Sequence, residues 1–272
     1  MYGLKSENHF LSYHVPISAF GKQIAQHPLH LGTLLRMEID ARGCTILLME
    51  LARQQGLDDV GEIGDDDKLL LRLMMPVAKM YTAKKAVENS SEGIECFGGQ
   101  GYIEDTGIPG FLRDAQVLPI WEGTSNVMAL DVLRALSKSK GESIRVFRKR
   151  VLSVIGSAAK SSDSNIVQAS RNLQIAITNL IDFVSSNQDI LEHAGRDFAI
   201  SLANIYIAAL LIEQALSTQN KMDAITARNW TITRELCLVN HGQKTNIYRL
   251  LKSKDSFDIV FENYDREDAI IP

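Results

Sequence analysis

Apolar residues recur at intervals of three and four along most of the chain, the spacing that places them on one face of an α-helix. The first stripe begins after Pro28 and runs from Leu31 and Leu35 to Leu51, ending near Gly56. No stretch shows the sustained alternation of apolar and polar residues that is typical of a strand bounded by turns. The pattern therefore predicts an all-α fold.

Two more helices are predicted before the middle of the chain. The second begins at Asp65–Asp67, whose negative charges suit a helix N-terminus, and runs toward Ile94 with a slight kink at Pro76. A break rich in turn-forming residues follows at 98–101. The third helix starts near Thr124.

Polar residues at 137–142 end the third helix and predict a boundary between one region at 1–137 and another at 138–272. Three longer helical patterns lie beyond it, at 164–185, 188–217 and 222–239. The middle pattern is nearly all apolar at 200–212, which predicts a helix buried in a bundle. The residues from Lys252 onward are charged and mixed, and we expect an irregular tail there.

The composition excludes several classes of protein. Of the 272 residues, 45% are hydrophobic and 23% are charged, which is typical of globular proteins and unlike disordered or fibrous sequences. No uninterrupted run reaches the roughly 20 apolar residues that a membrane helix needs, and the first residues lack the pattern of a secretory signal. We therefore expect a soluble intracellular protein, cytoplasmic or mitochondrial, without a membrane span.

The formal net charge of −4 is unevenly distributed. Residues 1–137 carry 12 Lys and Arg against 18 Asp and Glu, whereas residues 138–272 carry 17 against 15. A domain that holds nucleic acid usually has a stronger basic excess. One dense basic run stands out, and a solvated helix face explains it, with contact to a polyanion as the alternative. Its members are Arg145, Arg148, Lys149 and Arg150.

Three glycines within four residues, Gly98, Gly99 and Gly101, form the first candidate site. Glycine permits positive φ and close backbone approach, which a loop wrapped against a flat or phosphate-bearing ligand requires. The segment matches neither the Rossmann nor the Walker glycine pattern, and plain structural turns use the same residues. On these residues alone, both a ligand-binding and a structural role stay open.

Glu122 is the second candidate site, because it lies between the bulky Trp121 and the flexible Gly123, just before a predicted helix. The helix dipole favours its negative charge, whereas an adjoining aromatic ring and a ligand that excludes water would raise its affinity for a proton. These opposed influences suit a general base. The alternative is an ordinary glutamate at a helix start, with Thr124 and Ser125 as capping residues.

Metal and nucleophile chemistry receives little support from the residue pattern. His27 and His30 are spaced to share a helix face, but no third ligand lies at metal-binding spacing, so we expect surface or capping roles. Cys44, Cys96 and Cys237 are odd in number and lack CxxC spacing, so we expect small buried hydrophobic residues.

Taken in order, these segments closely resemble the C-terminal helical domain of the acyl-CoA dehydrogenase superfamily. The resemblance is carried by Phe20-Gly21-Lys22, the segment 97–102, Arg113-Asp114, the segment 119–126 and the segment 131–134. The last two, with the helical stretch after them, are similar to the branch of the bacterial adaptive-response alkylation protein and its animal relatives. This implies a four-helix-bundle-like domain at 1–137, followed by an additional helical region at 138–272.

The resemblance implies α,β-dehydrogenation of an acyl-CoA thioester, in which a carboxylate removes the α-proton and the β-hydrogen leaves as hydride to FAD. Glu122 falls at the position of the catalytic base, with Trp121 and Gly123 at substrate-binding positions. The implied FAD-contacting residues are Phe20, Gly98, Gly99, Gly101, Thr124 and Asn126. A homodimer or homotetramer is also implied, because Phe20 and the glycine segment belong to a surface that touches a neighbouring subunit's FAD.

The chain also departs from the family pattern. Ile17 occupies the position of an arginine that meets the FAD pyrophosphate, and Pro16 would disturb a helix that the family continues through this region. The N-terminal helical domain and the β-domain, which hold the flavin ring and much of the acyl pocket, have no counterpart in these residues. We therefore expect the chain alone to form an oligomeric helical body that binds FAD weakly or not at all.

Three functions from different classes stay open at this point. The first is the base-bearing part of an acyl-CoA dehydrogenase-like flavoenzyme, which the resemblance favours. The second is an oligomeric binding module that keeps the fold without the chemistry, a possibility raised by Ile17. The third is a nucleic-acid-associated module, suggested by the branch and by the basic run.

Overall fold

The computed structural model describes residues 18–239, 242–253, 256 and 259. Two short strands open this part of the chain, β1 (Ser18–Ala19) and β2 (Lys22–Gln23). The first helices are α1 (Pro28–Asp59), α2 (Asp65–Cys96), α3 (Gly99–Tyr102), α4 (Ile108–Val117) and α5 (Ser125–Lys138). They are followed by α6 (Glu142–Ala158), α7 (Ser164–Ser186), α8 (Gly195–Thr218), α9 (Lys221–Thr233) and α10 (Gly242–Leu251).

The all-α prediction is confirmed. β1 and β2 pair antiparallel over only four residues, around a turn formed by Phe20 and Gly21. Both turn residues have positive φ, 51° and 76°, the combination that closes a tight hairpin between antiparallel strands. Of the 3₁₀ segments among the described residues, Ile24–Gln26 lies between β2 and α1, whereas Glu104–Thr106 and Gln188–Ile190 lie between helices.

The chain divides into two compact units that do not follow the sequence order. Unit 1 contains residues 1–45 and 82–124, and unit 2 contains residues 46–81 and 125–272. Each of the long helices α1 and α2 therefore contributes one part to each unit. The predicted boundary after residue 137 lies one residue before the end of α5 at Lys138 and within unit 2, and it stays a prediction.

Helix α8 is the centre of unit 2. It contacts α5, α6, α7 and α9, and its residues from Ser201 to Ile212 are all buried. Its length and apolar composition would suffice to cross a membrane, but 78% of its apolar window lies inside the fold. Helices surrounded by other helices are apolar on every side, so this composition is that of a core helix.

The end of α9 is held to α8 by polar contacts inside this core. The Trp230 indole N–H donates to the carbonyl oxygen of Asn204 at 3.0 Å, and the Asn204 side-chain amide donates to the Glu235 carbonyl at 3.1 Å. The Leu238 N–H donates to the Ser201 hydroxyl at 2.8 Å. These bonds satisfy buried polar groups that would otherwise cost free energy.

Unit 1 leaves much of its apolar surface uncovered. Its buried hydrophobic residues are few, and large apolar side chains from several of its elements are exposed. The exposed residues are Phe20, Leu29, Leu31, Leu35, Tyr102, Ile103, Phe111, Val117, Ile120 and Trp121. An apolar surface of this extent is typical of a region that another protein surface covers.

Several predicted boundaries are wrong. The helix expected at 188–217 begins only at Gly195, and the one expected at 222–239 ends at Thr233. The first helix passes Gly56 and ends at Asp59. The irregular tail expected from Lys252 lies mostly outside the described residues. Helix α10, which had no clear sequence signal, ends just before it.

Candidate functional site

Glu122 lies in a sharp turn between α4 and α5. The backbone continues almost helically past Val117, because the N–H groups of Ile120 and Trp121 both donate to the Val117 carbonyl, at 3.0 and 3.1 Å. Glu122 then adopts a φ of +51° and Gly123 a φ of +111°. A non-glycine residue in the left-handed region carries roughly 1–2 kcal/mol of backbone strain, and such strain is concentrated at functional sites.

The segment 121–124 is open to solvent. Trp121 is 55% exposed, and the side chains of Glu122 and Thr124 are also exposed, whereas Gly123 is half-buried. Helix α5 begins at Ser125, as predicted to within one residue. The expected position of Glu122 near a helix start is therefore correct, but the described residues do not enclose its carboxylate in a groove.

The three glycines of the other candidate site differ in backbone conformation and in the space around each Cβ position. Gly98 has φ +56° and ψ −138°, a conformation that favours glycine, and the space where its Cβ would lie is open. Gly99 starts α3, a single helical turn where a loop was expected, and its Cβ would also meet open space. Gly101 is buried, and a Cβ there would lie 2.0 Å from the carbonyl oxygen of Ile94.

These differences divide the glycine segment into an exposed part and a packed part. Gly98 and Gly99 present uncovered backbone, so a ligand can approach it closely. Gly101 instead allows α3 to pack against the end of α2. The sequence pattern treats the three positions as equivalent, and only the tertiary contact with Ile94 separates them.

A cleft of about 340 Å³ adjoins the glycine segment within unit 1. Gly98 is the one predicted cofactor-binding residue in its lining, which includes residues before and within α1 and the last turns of α2. The lining residues are Ile24, His30, Thr33, Glu92, Glu95, Cys96, Phe97 and Gly98. Glu122 does not line this cleft.

Two carboxylates line the cleft, and the positive charge of Arg36 acts against them at Cys96. Burial, together with the negative charges of Glu92 and Glu95, raises the pKa of the Cys96 thiol to about 11. The lining contains no lysine or arginine. A cleft of this charge suits a neutral, hydroxyl-bearing or cationic group better than a phosphate.

The predicted site residues are divided between the two compact units. Phe20 is 96% exposed in the hairpin turn, and its ring meets His27 edge-on with 6.2 Å between centroids. Phe20, the glycines and Thr124 belong to unit 1, whereas Asn126 is an exposed residue of α5 in unit 2. Ile17 and Pro16 lie outside the described residues.

The sequence did not reveal an ion pair in the stretch of chain between the glycine segment and Glu122. The Arg113 guanidinium donates two hydrogen bonds to the Glu104 carboxylate, Nη1 to Oε1 at 2.9 Å and Nη2 to Oε2 at 3.0 Å. The Arg113-Asp114 pair was visible as part of the family pattern. Its partner was not, because Glu104 lies nine residues earlier, outside any regular helical spacing.

The basic run on α6 is largely neutralised by acidic partners. Arg145 pairs with Glu142 at 2.6 Å, Lys149 pairs with Asp66 at 2.7 Å, and Arg150 pairs with Glu213. Paired cations are less available to phosphates, so the structure does not favour a nucleic-acid surface. Within the part of the chain that the structure describes, no three His, Cys, Asp or Glu side chains are grouped to hold a metal ion.

Two protein families match the chain. Residues 9–137 match the acyl-CoA dehydrogenase C-terminal domain, and residues 142–261 match the acyl-CoA dehydrogenase 11 C-terminal domain-like family. The Caenorhabditis elegans protein acyl-CoA dehydrogenase family member 11 is 40% identical over 253 residues, which are 90% of this chain and 40% of that protein. AidB of Escherichia coli is 38% identical over 122 residues, 45% of this chain and 22% of that protein.

A solved structure agrees with these matches. The crystal structure of Caenorhabditis elegans ACDH-11 in complex with C11-CoA superposes with a TM-score of 0.84 and 36% identity. The superposition covers 96% of this chain and 44% of that one, so the chain spans less than half the length of these relatives. The predicted branch is confirmed, because both AidB and the animal protein are among the relatives. With residues 9–137 and 142–261 matched by these two models, the chain belongs to the acyl-CoA dehydrogenase C-terminal domain families.

Proposed function

We propose that this chain provides the base-bearing helical part of an FAD-dependent acyl-CoA dehydrogenase, with Glu122 as the catalytic base. The observation that carries the proposal is the strained turn, in which Glu122 takes a φ of +51° and keeps its carboxylate exposed. A backbone that served only to connect α4 to α5 would be relieved of strain by glycine or asparagine at this position.

The proposed reaction requires a carboxylate that takes a proton from the α-carbon of an acyl-CoA thioester. Glu122 supplies that group, and Trp121 beside it provides an apolar surface that excludes water when another surface closes over the turn. Exclusion of water makes a carboxylate a stronger base, because the charged form loses hydration. FAD, when bound, accepts the hydride that leaves the β-carbon.

The residues at hand fit part of FAD. Gly98 and Gly99 offer open backbone, and Phe20 offers an almost fully exposed ring, which suit close approach of flat or neutral parts of the cofactor. The adjoining cleft carries Glu92 and Glu95 without a cation in its lining, so the pyrophosphate must be neutralised elsewhere. Thr124 and Asn126 complete the proposed contacts as exposed hydrogen-bonding side chains.

We also propose a homodimer or homotetramer, because the exposed apolar residues of unit 1 need a covering surface. These residues come from the hairpin, α1, α3 and α4. Burial of such side chains contributes about 25 cal/mol per Å² of apolar surface. Light scattering on the purified chain tests this proposal, and a monomer at every concentration would contradict it.

The division into residues 1–137 and 138–272 remains a proposal about evolutionary and functional regions. It is supported by the short link between α5 and α6, where Lys140 and Gly141 both have positive φ. We place the protein in a soluble intracellular compartment, cytoplasmic or mitochondrial. The burial of α8 supports a soluble protein, and cell fractionation would test the compartment.

A chimera tests the dehydrogenase proposal. This chain would replace the matching region of the Caenorhabditis elegans relative, which is 40% identical to it. We expect the chimera to bind FAD and to lose its flavin absorbance when C11-CoA is added without oxygen. The Glu122→Gln variant should bind FAD and C11-CoA normally but reduce its flavin at least about 100-fold more slowly, because a general base contributes 10²–10⁴-fold.

Glu62→Gln is the matched control, since Glu62 is another exposed glutamate in a connection between helices. It should reduce flavin at the rate of the unmodified chimera. A Glu122→Gln chimera that is as fast as this control would refute the role of Glu122 as the base. A chimera that binds no flavin but keeps its oligomeric state would favour the non-catalytic binding module.

A further inference from the structure

The stretch between the glycine segment and the Glu122 turn is tied together by side chains. Arg113 on α4 and Glu104 on the 3₁₀ segment form a two-point contact, with both guanidinium Nη atoms on the two carboxylate oxygens. A planar fork of this kind fixes the relative orientation of its partners as well as their separation. It therefore holds the 3₁₀ segment at one place along α4.

A second tie links the same segment to the glycines. The Thr106 hydroxyl is within donating distance of two carbonyl oxygens, that of Ile103 at 2.7 Å and that of Gln100 at 3.1 Å. The Ile108 N–H, at the start of α4, donates to the same hydroxyl at 3.3 Å. Thr106 thereby joins α3 to α4 through one side chain.

The C-terminal end of α4 leads directly into the Glu122 turn. The N–H of Trp121 still donates to the carbonyl of Val117, the last residue of α4, so the direction of that helix determines where Glu122 begins. Gly98 and Glu122 are consequently connected through α3, the 3₁₀ segment and α4, all within unit 1. Within this connection, the Glu104–Arg113 contact joins the 3₁₀ segment directly to α4.

We propose that Glu104 and Arg113 are positioning residues, which hold the Glu122 turn in register with the glycine segment. The inference rests on the proposed function, because it gives the two segments the roles of base and cofactor contact. Neither side chain touches the carboxylate of Glu122. They act by keeping α4 and the Gly98–Tyr102 stretch in one arrangement.

Hydrogen exchange on this chain and its variants, outside the chimera, tests the proposal without requiring bound FAD. Glu104→Gln and Arg113→Gln should each accelerate amide exchange in both 98–102 and 118–124, by roughly two- to five-fold for loss of one exposed ion pair. High salt should move the wild type toward the same rates, because exposed charges are screened. Arg113→Lys should give an intermediate effect, since lysine keeps the charge but lacks the fork.

The Arg145–Glu142 pair provides the matched control. Its side chains are 58% and 53% exposed, compared with 63% and 68% for Arg113 and Glu104. Glu142→Gln should leave exchange in both segments unchanged. The double variant Glu104→Arg/Arg113→Glu restores an opposite-charge pair and should recover much of the lost protection.

Two outcomes would overturn the inference. One is unchanged exchange in 98–102 and 118–124 after either single substitution, and the other is acceleration in one segment alone. In the chimera described above, Arg113→Gln should lower kcat by roughly ten-fold or more with little change in the KM for acyl-CoA, as expected for a misplaced base. Coupled exchange without any flavin reduction would support the link between the two segments while refuting the dehydrogenase function, so the two failures are distinguishable.

Discussion

Replacing Gly101 by alanine should destabilise unit 1, whereas the same change at Gly99 should not. A Cβ at position 101 would lie 2.0 Å from the oxygen, 2.8 Å from the carbon and 3.0 Å from the Cα of Ile94. Ordinary van der Waals contact begins at about 3.4 Å. All three atoms are backbone atoms of α2, which cannot rotate aside as a flexible side chain can.

The whole turn of α3 must therefore shift to accept the added methyl group of the Gly101→Ala variant. Overpacking of this kind costs roughly 1–3 kcal/mol. At Gly99 a Cβ meets nothing within 4 Å, and φ is not in the left-handed region. Alanine is the better helix former, so Gly99→Ala should change the free energy of unfolding by between zero and about 1 kcal/mol in the stabilising direction.

Urea unfolding followed by circular dichroism measures the free-energy difference between the two variants. Hydrogen exchange in 94–103 locates the effect, and we expect faster exchange there in Gly101→Ala alone. The reasoning would be refuted if the two variants unfolded at the same urea concentration and exchanged at the same rate in this stretch. That result would mean that α3 is not packed against Ile94 in solution.

Two further predictions concern titration. Burial, reinforced by the charge of Glu50, raises the pKa of Tyr206 to about 12. The free energy of unfolding should therefore hold up to the pH of about 10 at which an unfolded tyrosine ionises, then fall toward pH 12 by up to about 1.4 kcal/mol per pH unit. The Tyr206→Phe variant should show a smaller fall when urea unfolding is measured over this pH range. The pKa of Cys96, raised from 9.0 to about 11 by burial and by Glu92 and Glu95, lowers its thiolate fraction near neutral pH about 100-fold. Glu95→Gln should speed its alkylation by iodoacetamide, measured by mass spectrometry, and an unchanged rate would contradict the electrostatic explanation.

Local sequence signals correctly predicted the helix boundaries that depend only on neighbouring residues. Pro28 begins α1, and the acidic triplet at 65–67 begins α2, because fixed φ and negative charge both favour a first helical turn. The start of α5 was likewise predicted from Thr124 and Ser125. These signals do not depend on distant parts of the chain.

The wrong C-terminal boundary of α9 lies where distant contacts replace local ones. Helix α9 ends at Thr233, although apolar periodicity continues, because α8 side chains satisfy the backbone beyond it. Asn204 binds the Glu235 carbonyl and Ser201 binds the Leu238 N–H. The Arg234 guanidinium stacks over Trp230 at 3.5 Å, which fixes the chain at the point where the helix stops.

The amino-acid order alone determined the helical class, the family resemblance and the position of Glu122 ahead of a helix, since periodicity and short motifs are local properties. Tertiary structure decided which glycine packs and which stays open, where α9 ends, and that Arg113 is held by Glu104. Those properties depend on atoms that come within a few ångströms only after the chain has folded. Separation along the sequence does not reveal such proximity, because the path of the loops and short helices in three dimensions decides which atoms come close.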